Sequence, residues 1–161
     1  MGQVKFARVD ARLIHGQVAT AWSNSVGIDN IYVVDNATAQ DDFMKMLYTN
    51  LQNNYSFGIK VLTVEEAVEL WEKDQFGKDK VMLLFKTIDS AYKLAELGVP
   101  YDALNVGGVP QGANNKVVAD AVAITQEEYD QLVALSEEYN KEVYFQTLPS
   151  ASKKKLSAVK Y

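Results

Sequence analysis

Lys80-Val81-Met82-Leu83-Leu84-Phe85-Lys86 is the stretch that decides the fold class. Its five apolar residues form an unbroken run. A strand with one wet face alternates apolar and polar residues, whereas a strand covered on both faces reads as a continuous run. Lys80 to Lys86 is therefore predicted to be an inner strand of a parallel sheet. A parallel strand needs crossover helices on either side of it. Upstream, Thr63-Val64-Glu65-Glu66 is a capping box: the Thr63 hydroxyl can serve the Glu66 amide, and the Glu66 carboxylate can serve the Thr63 amide. Val64, Ala67, Val68 and Trp71 then carry a helix. Downstream, Thr87 caps a helix that stops near Gly98 and Pro100.

The same alternation continues in both directions. Val4 to Val9, Ile31 to Val34 and Phe57 to Leu62 read as earlier strands. Ile14, Val18, Ala21, Trp22 and Ser25 recur at helical spacing. Phe43, Met44, Leu47, Tyr48 and Leu51 form the expected apolar stripe of a second helix. Ala103 to Val106 reads as a fifth strand, followed by a turn-rich stretch from Gly107 to Asn115. Val117-Val118 and Ala121 to Ile124 suggest two short strands. Thr125-Gln126-Glu127-Glu128 is a second capping box, opening a helix with Tyr129, Leu132, Val133 and Tyr139. Val143 to Gln146 is a last strand, and the tail with Lys153, Lys154 and Lys155 reads as a solvated end with a short helix. The expected fold is α/β: an open, mostly parallel β-sheet with helices on both faces, three layers (αβα), one domain over residues 1–161.

Composition narrows the chemistry. The chain has 161 residues, no cysteine and one histidine. That excludes disulfides, thiolate metal sites, cysteine nucleophiles and histidine-pair metal motifs, so no metal or cofactor is expected. A net charge of −5 argues against a general nucleic-acid binder. No apolar run is long enough to span a bilayer. MGQVKF goes straight into a strand pattern with no signal peptide, so a cytoplasmic location is expected. Of sixteen basic residues only Arg8 and Arg12 are arginines, and both share the window Arg8-Val9-Asp10-Ala11-Arg12-Leu13-Ile14-His15 with the sole histidine. Arginine is a planar fork suited to phosphate or carboxylate.

Ligands in open α/β sheets bind beyond the carboxyl ends of the strands. That rule puts Asp10 to His15, Asp35-Asn36, Thr63, Lys86-Thr87 and Gly107 to Asn115 on one rim. His15 is expected at the start of the first helix, where free amides and a partial positive charge favour an anion. A phosphoryl group on His15 would have those amides and Arg12 within reach. Gly16 removes a side chain that would crowd the site, and Asp10 can fix the imidazole tautomer. Arg8 either reaches the site or makes a surface ion pair. Gly107-Gly108 is either an anion-binding nest or a tight turn. Two rival chemistries fail on the sequence. The third strand ends Val61-Leu62-Thr63, without the phosphoacceptor aspartate of a response-regulator receiver. There is no G-x-S-x-G elbow for a serine hydrolase, and Ala113-Asn114 stands where a Walker A loop needs Lys-Ser/Thr.

Arg8 to Val18, RVDARLIHGQV, resembles the R-[IV]-D-x-R-L-I-H-G-Q-V signature of the IIB components of the bacterial sugar phosphotransferase system, mannose/fructose/sorbose family. Asn105-Val106-Gly107-Gly108 is similar to the family's second motif. The resemblance covers the whole length and implies a phosphocarrier enzyme. His15 would be phosphorylated on Nδ1 by a phosphohistidine of a IIA protein or domain. It would pass the group to a sugar bound by the membrane IIC and IID components, at the inner face of the membrane. Arg12 would stabilise the moving phosphoryl group, Asp10 would support the site, and Gly107-Gly108 would help line it. Mannose, fructose, sorbose, glucosamine and N-acetylgalactosamine all remain open as substrates. The competing readings are a phosphorylatable regulator of the same fold and a small-molecule-binding module without chemistry. A site that meets two partners in turn should be shallow, with interfaces of transient size.

Overall fold

The computed structural model describes residues 2–161, apart from the side chains of Gln17 and Val18; the expected place of Val18 on the first helix's apolar face lies outside the described residues. Strands β1 (Gln3–Asp10), β2 (Asn30–Val34), β3 (Gly58–Leu62), β4 (Lys80–Phe85), β5 (Ala103–Gly108), β8 (Glu142–Phe145) and β9 (Lys154–Lys155) form one sheet in the order β3-β2-β4-β1-β5-β8-β9. All neighbours are parallel except β9, which runs antiparallel to β8. Strands β6 (Lys116–Ala119) and β7 (Val122–Ile124) make a separate antiparallel hairpin. The 80–86 run behaves as its composition demands: β4 lies between β1 and β2, and Val81 to Phe85 are all buried.

Helices α1 (Gly16–Val26) and α2 (Asn36–Gln40) cover one face, α3 (Asp42–Asn50) lying beside them. There Ala19, Trp22 and Ala39 pack on Ile31, Val33, Ile59, Val61, Met82 and Leu84. Helices α4 (Val64–Asp74), α5 (Ile88–Glu96) and α6 (Gln126–Glu137) cover the other, packing Ala67, Leu94 and Leu132 on Val9, Leu83 and Val106. Both capping boxes form: Glu66 N–H donates to Thr63 Oγ1 at 3.0 Å and Thr63 N–H to Glu66 Oε1 at 2.9 Å, with the same reciprocal pair between Thr125 and Glu128. Among the described residues, no helix is long and apolar enough to cross a membrane.

Three expectations are corrected and a fourth is refined. The second helical segment breaks at Asp41, whose carboxylate accepts from the Phe43 and Met44 amides and starts a new helix. The expected stripe on α3 is not core: Phe43 is 64% and Leu47 44% exposed, and only Tyr48 and Leu51 reach the apolar layer. Gly107 and Gly108 are the last residues of β5, not the start of a turn. The lysine tail is exposed as expected and leads into a short 3-10 helix (Leu156–Ala158), but its lysines are held in place. Lys154 and Lys155 pair with Phe145 and Tyr144, Lys153 bonds Glu142 at 3.0 Å, and Lys154 Nζ donates to the Val118 carbonyl at 2.7 Å.

The topology positions the site. From β1 the chain leaves toward β2 on one side; from β5 it leaves toward β8 on the other. The carboxyl ends of β1 and β5 therefore flank the crevice in which α/β sheets bind ligands.

Candidate phosphoryl-transfer site

Side chains alternate along β1, so Arg8 and Asp10 point to the α1 face while Ala7 and Val9 enter the opposite core. After Asp10 the chain turns tightly. Leu13 N–H donates to the Asp10 carbonyl at 2.9 Å, and Ala11 N–H donates to the Gly108 carbonyl at 2.8 Å. Leu13 takes a left-handed φ of 57°, an uncommon conformation for a branched residue. Burial of Leu13 and Ile14 in the α1-side core anchors the loop in that conformation.

His15 is the N-cap residue of α1, and its side chain makes no capping bond. Its Nδ1 lies 2.9 Å from the Leu13 carbonyl. A carbonyl oxygen only accepts, so Nδ1 carries the proton of this bond. Nε2 is buried without a hydrogen-bond partner, 3.9 Å from Asp10 Oδ2. In this ring orientation neither nitrogen offers a lone pair to an incoming donor. Presenting Nδ1 requires the ring to leave Leu13. Gly16, with φ at 48°, is needed for its backbone conformation. No atom lies within 4 Å of where its Cβ would sit, which corrects the expectation of crowding.

The two arginines have opposite surroundings. The Arg12 side chain is 62% exposed; its backbone N–H donates to Asp10 Oδ1 at 3.0 Å, and its Nε approaches the same oxygen at 3.4 Å. Its remaining guanidinium nitrogens are open to an anion at the rim. Arg8 is 1% exposed. Its Nη1 donates to Asn105 Oδ1 and to the Gln146 carbonyl (2.9 Å). Its Nη2 donates to Asp10 Oδ2 (3.1 Å) and to the Thr147 carbonyl (2.9 Å). Trp22 stacks over it, 5.2 Å from ring centre to Cζ, while donating its own N–H to the Thr147 carbonyl at 3.2 Å. Burial pushes the Arg8 pKa below its usual value, and Asp10 opposes that shift. Arg8 thus makes a buried ion pair, not a surface one, and its Nη hydrogens are committed to protein acceptors.

The diglycine is explained by the same cluster. A Cβ on Gly107 would fall within the Arg8 guanidinium, and one on Gly108 would come within 2.8 Å of Asp10 Oδ1. The two glycines make room for these side chains and form no anion nest. Asp35 and Asn36, also expected on the rim, serve the fold: Asp35 caps α2 through Thr38, and Asn36 Oδ1 accepts the Val64 amide at 2.7 Å. Sequence reasoning missed Trp22 and the Gln146 and Thr147 carbonyls. No pattern signals the carbonyls, because backbone groups are the same at every position. Next to the site, Ala11, Arg12, Gly108, Val109, Pro110 and Ala121 line a shallow hollow of about 320 Å³.

The sequence model of the PTS system sorbose subfamily IIB component matches residues 4–160. The chain belongs to that family. IIB components carry phosphoryl groups in sugar phosphotransfer, so this chain is a phosphocarrier and a phosphotransferase. The crystal structure of manxB from Thermoanaerobacter tengcongensis has 35% sequence identity to the chain and a TM-score of 0.91, over 98% of this chain and 95% of that one. The N-acetylgalactosamine-specific phosphotransferase enzyme IIB component 1 of Escherichia coli K12 is 27% identical over 95% of this chain and 96% of its own length. The mannose-specific EIIAB component of the same organism is 31% identical over 79% of this chain, which corresponds to 39% of that longer protein. The parallel sheet flanked by helices is thus the architecture of solved IIB structures.

Proposed function

We propose that His15 is the phosphorylated residue. It takes a phosphoryl group from a phosphohistidine on a IIA protein or domain and passes it to a sugar held by membrane IIC and IID components. The observation that carries this reading is the grouping of the sole histidine, at the N-terminus of α1, with an exposed Arg12 and an anchored Asp10 on one six-residue loop. A ring nitrogen of His15 attacks the donor phosphorus. The donor P–N bond breaks, and its electron pair returns to the donor imidazole. Charge in the loose transition state spreads over three oxygens. Arg12 and the amides at the start of α1 supply the compensating positive charge. Nδ1 is the accepting atom expected from the family resemblance, and it becomes available when the ring turns away from Leu13. Asp10 Oδ2 then holds the proton on Nε2. Arg8, Gly107 and Gly108 support the site without touching phosphate.

A IIA-type donor fits the mannose-specific EIIAB relative, whose name joins the two functions in one chain. The relatives' names specify N-acetylgalactosamine and mannose. In this reading the membrane components select the sugar. A cytoplasmic domain working at the inner membrane face follows from that scheme.

Incubation with phosphorylated IIA should place one acid-labile phosphoryl group on His15. Membranes bearing IIC and IID, together with sugar, should remove it. A His15→Gln variant that still accepts the group would overturn the assignment. Arrival without sugar-dependent loss would favour a regulatory protein.

A further inference from the structure

Asn105 is 0% exposed and lies on β5 beside Arg8 in register. A buried amide must be satisfied, and this one is spent on a single purpose. Its Oδ1 accepts from Arg8 Nη1, and its Nδ2 donates to the Gln146 carbonyl at 3.1 Å, the same carbonyl that accepts from Arg8. Gly107 leaves the space the guanidinium fills, and Trp22 closes it from above. The result is a fork with all four Nη hydrogens held by named acceptors, one of them Asp10 Oδ2. That same oxygen faces His15 Nε2.

We propose that Asn105 and Arg8 form a buried clamp that sets the Asp10 carboxylate against His15, acting on phosphoryl transfer through Asp10 while touching no phosphate. Both are positioning residues, and the inference rests on His15 being the phosphoryl acceptor. The physical reason lies in a competition at the ring. The Leu13 carbonyl favours a proton on Nδ1; Asp10 favours one on Nε2, which frees Nδ1 to attack. Which acceptor wins depends on where the carboxylate is held. Misplacing a supporting group by about 1 Å costs up to about 100-fold in rate. The charged groups around the carboxylate are Arg8 on β1 and Arg12 and His15 on the loop.

The single histidine makes the test clean, because ¹⁵N spectra of the imidazole report one residue. Asn105→Leu removes the amide, and Gly107→Ala displaces the guanidinium from the other side. Each variant is checked for cooperative melting. In the wild type the ring nitrogen signals should average the Leu13-bonded form with an Asp10-bonded, Nε2-protonated form; at one fixed pH both variants should lose the second and report the Nδ1-protonated form alone. The maximal rate of transfer from phosphorylated IIA should fall about tenfold, with the half-saturating IIA concentration unchanged. Folded variants with wild-type ring signals and wild-type rates would overturn the clamp. If neither variant folds, the wild-type protein decides. It has only two arginines, so guanidinium signals are assignable. In the phosphorylated protein, phosphorus should lie near Arg12 hydrogens, and Arg8 hydrogens should stay slow to exchange and distant from it. Phosphorus contact at Arg8 would overturn the proposal. Failure of wild type to become phosphorylated on His15 would instead overturn the functional assignment beneath it.

Discussion

Arg8 to Asp10 and Arg12 to His15 are neighbours in sequence but belong to different regions of the molecule. The first group ends a strand, is buried, and has its charges neutralised by protein partners. The second is a wound loop with an exposed cation and a half-buried imidazole. The same residue type does opposite work in the two. Arginine in the strand is immobilised by its acceptors; arginine in the loop is exposed, with one nitrogen near Asp10.

The contrast predicts activity losses for the loop and stability losses for the strand. His15→Ala should abolish phosphoryl acceptance while changing unfolding free energy by less than about 1 kcal/mol, measured by urea melts. Arg12→Ala should slow transfer by on the order of 1,000-fold, the scale on which a charge-stabilising arginine acts in phosphoryl transfer. Its melting should be nearly unchanged, since exposed ion pairs contribute about 0–1 kcal/mol. Arg8→Met should reverse that pattern. It leaves Asp10 buried without its main partner and should cost about 3–5 kcal/mol in urea unfolding. Gly108→Ala, which crowds the Asp10 carboxylate, should cost about 1–3 kcal/mol. Gly112→Ala has open space around it and should change stability by under about 0.5 kcal/mol. An Arg8 variant as stable as wild type, or an Arg12 variant that unfolds, would break the comparison.

Much of this molecule was legible in its sequence because the signals are local. Both capping boxes need a threonine and a glutamate three residues apart, and both form. The apolar run at Val81 to Phe85 is a strand covered on both faces. The expected stripe on α3 failed for a physical reason. Helical spacing says which side chains share a face, but not whether anything packs on that face, and near the sheet edge Phe43 and Leu47 find no cover. The lysine tail is exposed as its charge implies, but charge alone says nothing about its partners. Lys153 and Lys154 find an acidic partner and a carbonyl brought from elsewhere in the chain.

The sequence by itself determined the parallel α/β order, the helix starts at Thr63, Thr87 and Thr125, and the one residue able to do imidazole chemistry. Those depend on residue types and short spacings. Tertiary structure decided which arginine is buried, why two glycines end β5, and which ring nitrogen faces Asp10. Those depend on contacts between residues as far apart as Arg8, Asn105 and Thr147. Such contacts exist only once the sheet has brought the ends of β1, β5 and β8 together.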